Sequence, residues 1–168
     1  LGTSLGAVNF ITTIVCMPNT SPAGDNPSTI AWSKNRAAEV ACVNVLPTGA
    51  ISKDIAGEEL APIGSLAQAG AVAITDDGHC IQNHELMRRA VEYARMVGVP
   101  VFDHCQEYHL VGNGVVHEGY WSTLLGLPGW PAAGEELIVM RNILLAELCD
   151  HHLHCQNISS AGSVRLLR

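Results

Sequence analysis

The stretch Ala71-Val-Ala-Ile-Thr-Asp-Asp-Gly78 decides how the chain is read, together with Val99-Pro-Val-Phe-Asp-His104. Each is a short apolar run of strand character. Each stops in side chains able to hold a metal, Asp76 and Asp77 in the first and Asp103 and His104 in the second. His104 follows Asp77 by 27 positions, about the length of one β-α-β step. Right-handed crossovers between parallel strands then set the two strand ends side by side at one rim. Side chains alternate along a strand, so one member of each adjacent pair points inward.

Working outward, Thr12-Thr-Ile-Val-Cys-Met17 is β-branched and apolar, a buried strand by composition, and the turn cluster Pro18-Asn-Thr-Ser-Pro22 ends it. Asn26-Pro27 supplies a cap and a proline at the first helical position, opening a helix to about Val40. Ala41-Cys-Val-Asn-Val-Leu46 is the next strand. Leu60, Ile63 and Leu66 recur at helical spacing within 57–69, and Gly70 stops that helix. Asn83 caps a helix whose Leu86, Ala90 and Ala94 share a face, and Gly98 ends it. Residues 105–130 read as a long loop rich in glycine and aromatics, of the kind that serves as a lid, with Trp121 and Trp130 packing on the rim. Pro131 starts a helix with Glu135 and Glu136 in its first turn and an apolar face of Leu137, Met140, Leu144 and Leu148. Leu153-His-Cys-Gln-Asn-Ile158 is the last strand, and the chain turns helical from Ala161. Leu5, Ala7 and Val8 suit the end of a helix.

Strand and helix alternate about five times, which specifies an α/β fold with a parallel sheet. A doubly wound sheet and part of an eightfold barrel both fit, and a barrel of about 250 residues would leave this chain three strands short. Both ends read as cut. There is no initiator Met, and Ser163-Val-Arg-Leu-Leu-Arg168 stops in a helix without a terminating Gly or Pro.

With 9 basic and 16 acidic residues the formal charge is −7, and no basic cluster invites nucleic acid or an anionic membrane. No apolar run nears the roughly 20 residues of a membrane span, and the first residues carry no positively charged leader. The expected compartment is the cytoplasm, and the six cysteines, none in a CxxC arrangement, read as reduced, small buried hydrophobes. The strand ends nominate Asn19, Asp76 or Asp77, Asp103 or His104, and His154 or Asn157 as functional positions. Two imidazoles and a carboxylate at strand ends would suit zinc. His79, His84, His109, His117, His151 and His152 read as surface or loop residues.

A series of motifs resembles dihydroorotase of the bacterial type, in order along nearly the whole chain. It comprises Met17-Pro-Asn-Thr20, Pro47-Thr-Gly-Ala50, Thr75-Asp-Asp-Gly78, Asp103-His-Cys-Gln-Glu107 and Glu118-Gly119 with Leu125-Gly-Leu-Pro-Gly129. Pro131-Ala-Ala-Gly-Glu-Glu136 with Arg141 and Ile158-Ser-Ser-Ala-Gly-Ser-Val164 complete it. The resemblance implies that residues 1–168 are a fragment of one amidohydrolase (β/α)8 TIM-type barrel domain, strands two to six with their crossover helices. It implies one or two zinc ions and the reversible cyclisation of N-carbamoyl-L-aspartate to L-dihydroorotate in pyrimidine synthesis. Asp77 matches the carboxylate that bridges the metals, His104 the fifth-strand histidine ligand, and Asn19 the amide that holds the substrate's carboxylate.

Three departures accompany it. The family's first-strand His-x-His and eighth-strand Asp, its general acid/base, fall outside the sequence. Where the family has a sixth-strand histidine ligand, this chain has Asn157, a poor zinc ligand beside imidazole. His154, three residues away, should face the other side of the strand and act in packing or support. Two other readings follow. A hydantoinase or allantoinase relative would carry a lysine where Asp77 stands. A catalytically defective, dihydroorotase-like scaffold subunit for aspartate carbamoyltransferase is kept open by Asn157. The partners expected are the small substrate, a second copy in a homodimer, or that carbamoyltransferase.

Overall fold

A computed structural model describes residues 12–168; the helix end expected at Leu5, Ala7 and Val8 lies outside them. Four strands build its parallel arc: β1 (Thr13–Cys16), β2 (Asn44–Pro47), β3 (Val101–His104) and, last in the chain, Leu153–Gln156. The first two pair in parallel from Thr13 opposite Asn44 to Cys16 opposite Pro47. Val101 to His104 pair likewise with Leu153 to Gln156. Ile74 joins the two ladders through parallel bridges to Gly49 on one side and Val101 on the other. Backbone bonds confirm the link: Thr75 N–H donates to the Gly49 carbonyl at 2.9 Å and Phe102 N–H to the Ile74 carbonyl at 2.8 Å. The segments therefore lie in chain order, with no reversal of the kind that defines a doubly wound sheet. Among the described residues the arc does not close.

Helix α1 (Pro27–Val40) is capped by Asn26, whose side chain accepts the Thr29 N–H at 3.0 Å. Helix α2 (Ile63–Ala69) ends at left-handed Gly70, and α3 (His84–Val97) runs from the Asn83 cap to left-handed Gly98. All three stops match the sequence. The core lies between arc and helices, where Ile51, Ile63, Ile74, Met87, Val91 and Val101 are fully buried.

Four expectations are corrected. The first strand is not buried: Ile14 and Val15 are 45% and 41% exposed, because β1 pairs on one side only among the described residues. Residues 105–130 are structured, holding α4 (Tyr108–Val111) and α5 (Tyr120–Leu125), with β4 (Val116–His117) paired in parallel with β5 (Gly129–Trp130). Within that segment Trp121 is 64% exposed and stands edge-on to Tyr120, at 5.2 Å between ring centroids, rather than packing on a rim. Finally, helix α6 (Ala133–Cys149) turns Leu137, Met140, Leu144 and Leu148 outward and buries Glu135, Ile138, Val139, Arg141, Asn142 and Cys149. A helix apolar around its whole circumference gives periodicity no phase, and here buried polar bonding sets the orientation.

Two polar anchors fix that orientation. The Asp103 carboxylate, fully buried behind β3, accepts Arg141 Nη2 and Asn142 Nδ2, both at 2.7 Å. Burial pushes its carboxyl above the usual range, and the Arg141 charge and the Asn142 bond oppose that rise. The Glu135 carboxylate accepts the backbone N–H of Ser159 (2.9 and 3.2 Å) and of Ser160 (2.9 Å), tying down the turn after the last strand, which we label β6 (Leu153–Gln156). Helix α7 (Ala161–Leu166) follows. Burial works to raise the Glu135 carboxyl, but bonds from Ser163, Ser160 and Ser159 outweigh it and hold the group below its usual range.

Arg141→Met in a full-length protein carrying this segment should cost about 3–5 kcal/mol in denaturant unfolding, since a buried carboxylate loses its partner. Adding Asp103→Leu should recover much of that loss. For Glu135, a depressed carboxyl contributes stability present above the ordinary range near pH ~4.3 and lost as pH falls through the lowered value. Glu135→Gln should therefore destabilise by about 1–3 kcal/mol at neutral pH and flatten the acid-side fall of an unfolding pH profile.

Candidate functional site

The two candidate pairs resolve as alternation requires. Asp76 is buried: its carboxylate accepts the backbone N–H of Ile51 (2.7 Å) and Ser52 (3.1 Å) and the Ser52 hydroxyl. Burial raises its carboxyl against the lowering effect of those bonds. Asp103 engages Arg141 and Asn142 through Oδ2, while its buried Oδ1 has no partner among the described residues. Both hold the scaffold. The partly exposed members, Asp77 and His104, face the rim.

Asp77 stands at φ 54°, left-handed backbone that aspartate tolerates better than most residues. Its own N–H donates to Thr75 Oγ1 at 3.0 Å, which pins the turn. Asn19, in the turn after β1, donates from Nδ2 to Asp77 Oδ2 at 2.5 Å. Two candidates 58 residues apart in sequence are thus in direct contact. The Thr75 hydroxyl reaches Gln156 Oε1 at 3.4 Å, and Gln156 lies opposite His104 in the ladder. The run 71–75, read from the sequence as a strand, forms only the isolated bridge at Ile74, and through it the segment preceding Asp77 is the immediate neighbour of the strand ending in His104.

His104 Nε2 lies 3.1 Å from Gln106 Oε1. That contact holds the ring in one orientation at the end of β3. His104 lines a cavity of about 760 Å³ that also receives Asn157, His117, Trp130 and Arg165. Strict alternation would put Asn157 on the opposite face from His104. The left-handed backbone at Asn157 (φ 58°) ends the alternation, and its side chain shares the cavity. His154 pairs across the ladder with Phe102 and stacks edge-on against it at 5.1 Å, a packing role.

Sequence reasoning missed three features. His117 is exposed, as a surface histidine should be, yet it lines the cavity. Gln106 orients the imidazole, and its only signal was its position two residues after His104. Glu135 was read only as a first-turn acid, although it anchors the turn bearing Asn157. The thiols of Cys80, Cys105 and Cys149 are buried as expected, while Cys42 is exposed.

Among the described residues no three His, Cys, Asp or Glu side chains converge to hold a metal. Asp77 and His104 supply one carboxylate and one oriented imidazole, a donor set that suits zinc but leaves its tetrahedral shell short. No described helix is long and apolar enough to cross a membrane.

Comparison with known proteins agrees. Over 167 residues the chain is 50% identical to a dihydroorotase of Pelotomaculum thermopropionicum, 46% to one of Acetivibrio thermocellus and 47% to one of Geotalea daltonii. Each match covers 99% of this chain and 39% of the relative, so the chain spans about two fifths of their length. Among solved structures, L-hydantoinase (dihydropyrimidinase) from Arthrobacter aurescens superposes with a TM-score of 0.74 at 18% identity, covering 95% of this chain and 37% of that one. That likeness speaks to the fold. A family model described as dihydro-orotase-like matches residues 1–163, and the chain belongs to that family.

Proposed function

We propose that residues 1–168 form the second to sixth strands of a (β/α)8 barrel domain and carry part of the zinc site of a dihydroorotase. The full-length protein would interconvert N-carbamoyl-L-aspartate with L-dihydroorotate and water, in the cytoplasm. The observation that carries this reading is the Asn19–Asp77 contact, just after a segment that is bridged directly to the strand of His104. Strands in chain order, a hydantoinase-like fold and family membership point the same way.

In this reading Asp77 and His104 would hold the metal, while Gln106 fixes the ring. Zinc, when bound, supplies Lewis-acid polarisation of the ring amide carbonyl and activates water near pH ~7. The Asn19 amide has two N–H groups. One is committed to Asp77, and the other is free to donate to the substrate's carboxylate. A neutral amide does this without competing for the cation. The remaining ligands and the acid/base group would come from outside this segment.

A second reading is favoured by one residue. Asn157 gives the cavity an amide where a further imidazole would complete a second metal site, which suits a catalytically defective scaffold for aspartate carbamoyltransferase. Metal analysis and turnover of the full-length protein separate the two. The enzyme reading expects about one zinc or more per chain with measurable cyclisation. Less than about 0.2 zinc per chain with no turnover favours the scaffold. In the enzyme, Asn157→His should raise zinc toward two per chain by adding a nitrogen donor; an unchanged metal content would show that the position does not limit binding.

A further inference from the structure

The amide of Asn157 is placed for work other than metal binding. Asn157 is exposed, and its side chain bonds to no described residue; only its backbone carbonyl is used, accepting the Ser159 hydroxyl at 2.9 Å. It lines the same cavity as His104. Its backbone sits at φ 58°, where asparagine is enriched and β-branched residues are strained. The turn that carries it is held from behind by Glu135 on the N–H groups of Ser159 and Ser160. The side chain therefore stands on a fixed base with one acceptor and two donors unspent. The nearby acids do not claim them: Glu135 is committed to that backbone, and Glu136 accepts the Ser160 hydroxyl at 3.1 Å.

A neutral amide is a weak partner for zinc but the geometric complement of another amide. We propose that Asn157 reads the ring amide of a cyclic ureide, Oδ1 accepting a ring N–H and Nδ2 donating to the adjacent ring carbonyl. This rests on the dihydroorotase reading and gives the position a specificity role in place of a metal role. A ring that closes on His104 without such a partner would leave its N–H and carbonyl unpaired in the cavity, and polar groups stranded in that way cost affinity.

The test uses the zinc-loaded full-length protein, with calorimetric binding of L-dihydroorotate and of an analogue methylated on the imide nitrogen. Wild type is expected to bind the methylated ring about 10- to 100-fold more weakly. Asn157→Ala should weaken L-dihydroorotate by about the same factor, abolish the discrimination between the two rings, and leave zinc content unchanged. Asn157→Gln, which keeps the amide on a longer stem, should restore part of the discrimination. A fall in zinc content in Asn157→Ala would identify the residue as a ligand and overturn the proposal. Equal discrimination in wild type and Asn157→Ala would also overturn it. If wild type binds neither ring, the dihydroorotase reading fails first and takes this inference with it, a result distinct from the other two.

Discussion

The rim depends on the backbone of the short segment 73–75. Ala73 and Thr75 bond to Gly49 on one side, and Ile74 bonds to Pro100 and Phe102 on the other; without these bonds the two ladders would be separate ribbons. That double link makes the segment preceding Asp77 the neighbour of the strand ending in His104. It also fixes the phase of both strand ends, because neighbours in a ladder share a face. Phase then distributes the acids: Asp76 and Asp103 go to the helix side, and Asp77 and His104 to the rim. Ile74 is fully buried in a core of Ile51, Ile63, Met87, Val91 and Val101, so hydrophobic packing and rim geometry are enforced by the same contact.

The buried acids show how the scaffold supports an exposed site. A carboxylate inside a protein is costly unless paired, and unpairing it is costlier than never having buried it. Asp103 meets Arg141 and Asn142, which pull α6 onto the back of β3. Asp76 gathers the backbone of Ile51 and Ser52 and so locks the β2 extension against the Asp77 turn. Glu135 does the same for the turn after β6. Asp77 and His104 thus each follow a buried polar anchor by one position, Asp76 and Asp103.

Much of this was legible in the sequence, for stated reasons. Helix stops at Gly70 and Gly98 and caps at Asn26 and Asn83 are local signals, and all four hold. The choice of Asp77 over Asp76 followed from matching motifs, and alternation explains it. Two failures have a common cause: burial is a property of neighbours. The β-branched run 13–16 has strand propensity whether or not a second face covers it, and here Ile14 and Val15 stay exposed. Helix 133–149 is apolar on every side, so nothing in its spacing says that Leu137, Met140, Leu144 and Leu148 face out while Arg141 faces in. The left-handed turn that brings Asn157 beside His104 likewise breaks the period-two rule at the position where that rule was applied.

In the proposed site the Asp77 carboxylate and the His104 imidazole share one cation. Anomalous diffraction at the zinc edge from crystals of the full-length protein tests it most directly. The expected result is a zinc peak within about 2.0–2.2 Å of both an Asp77 oxygen and a ring nitrogen of His104. A peak bonded to neither residue, or an Asp77 and His104 too far apart for a common ion, would contradict it.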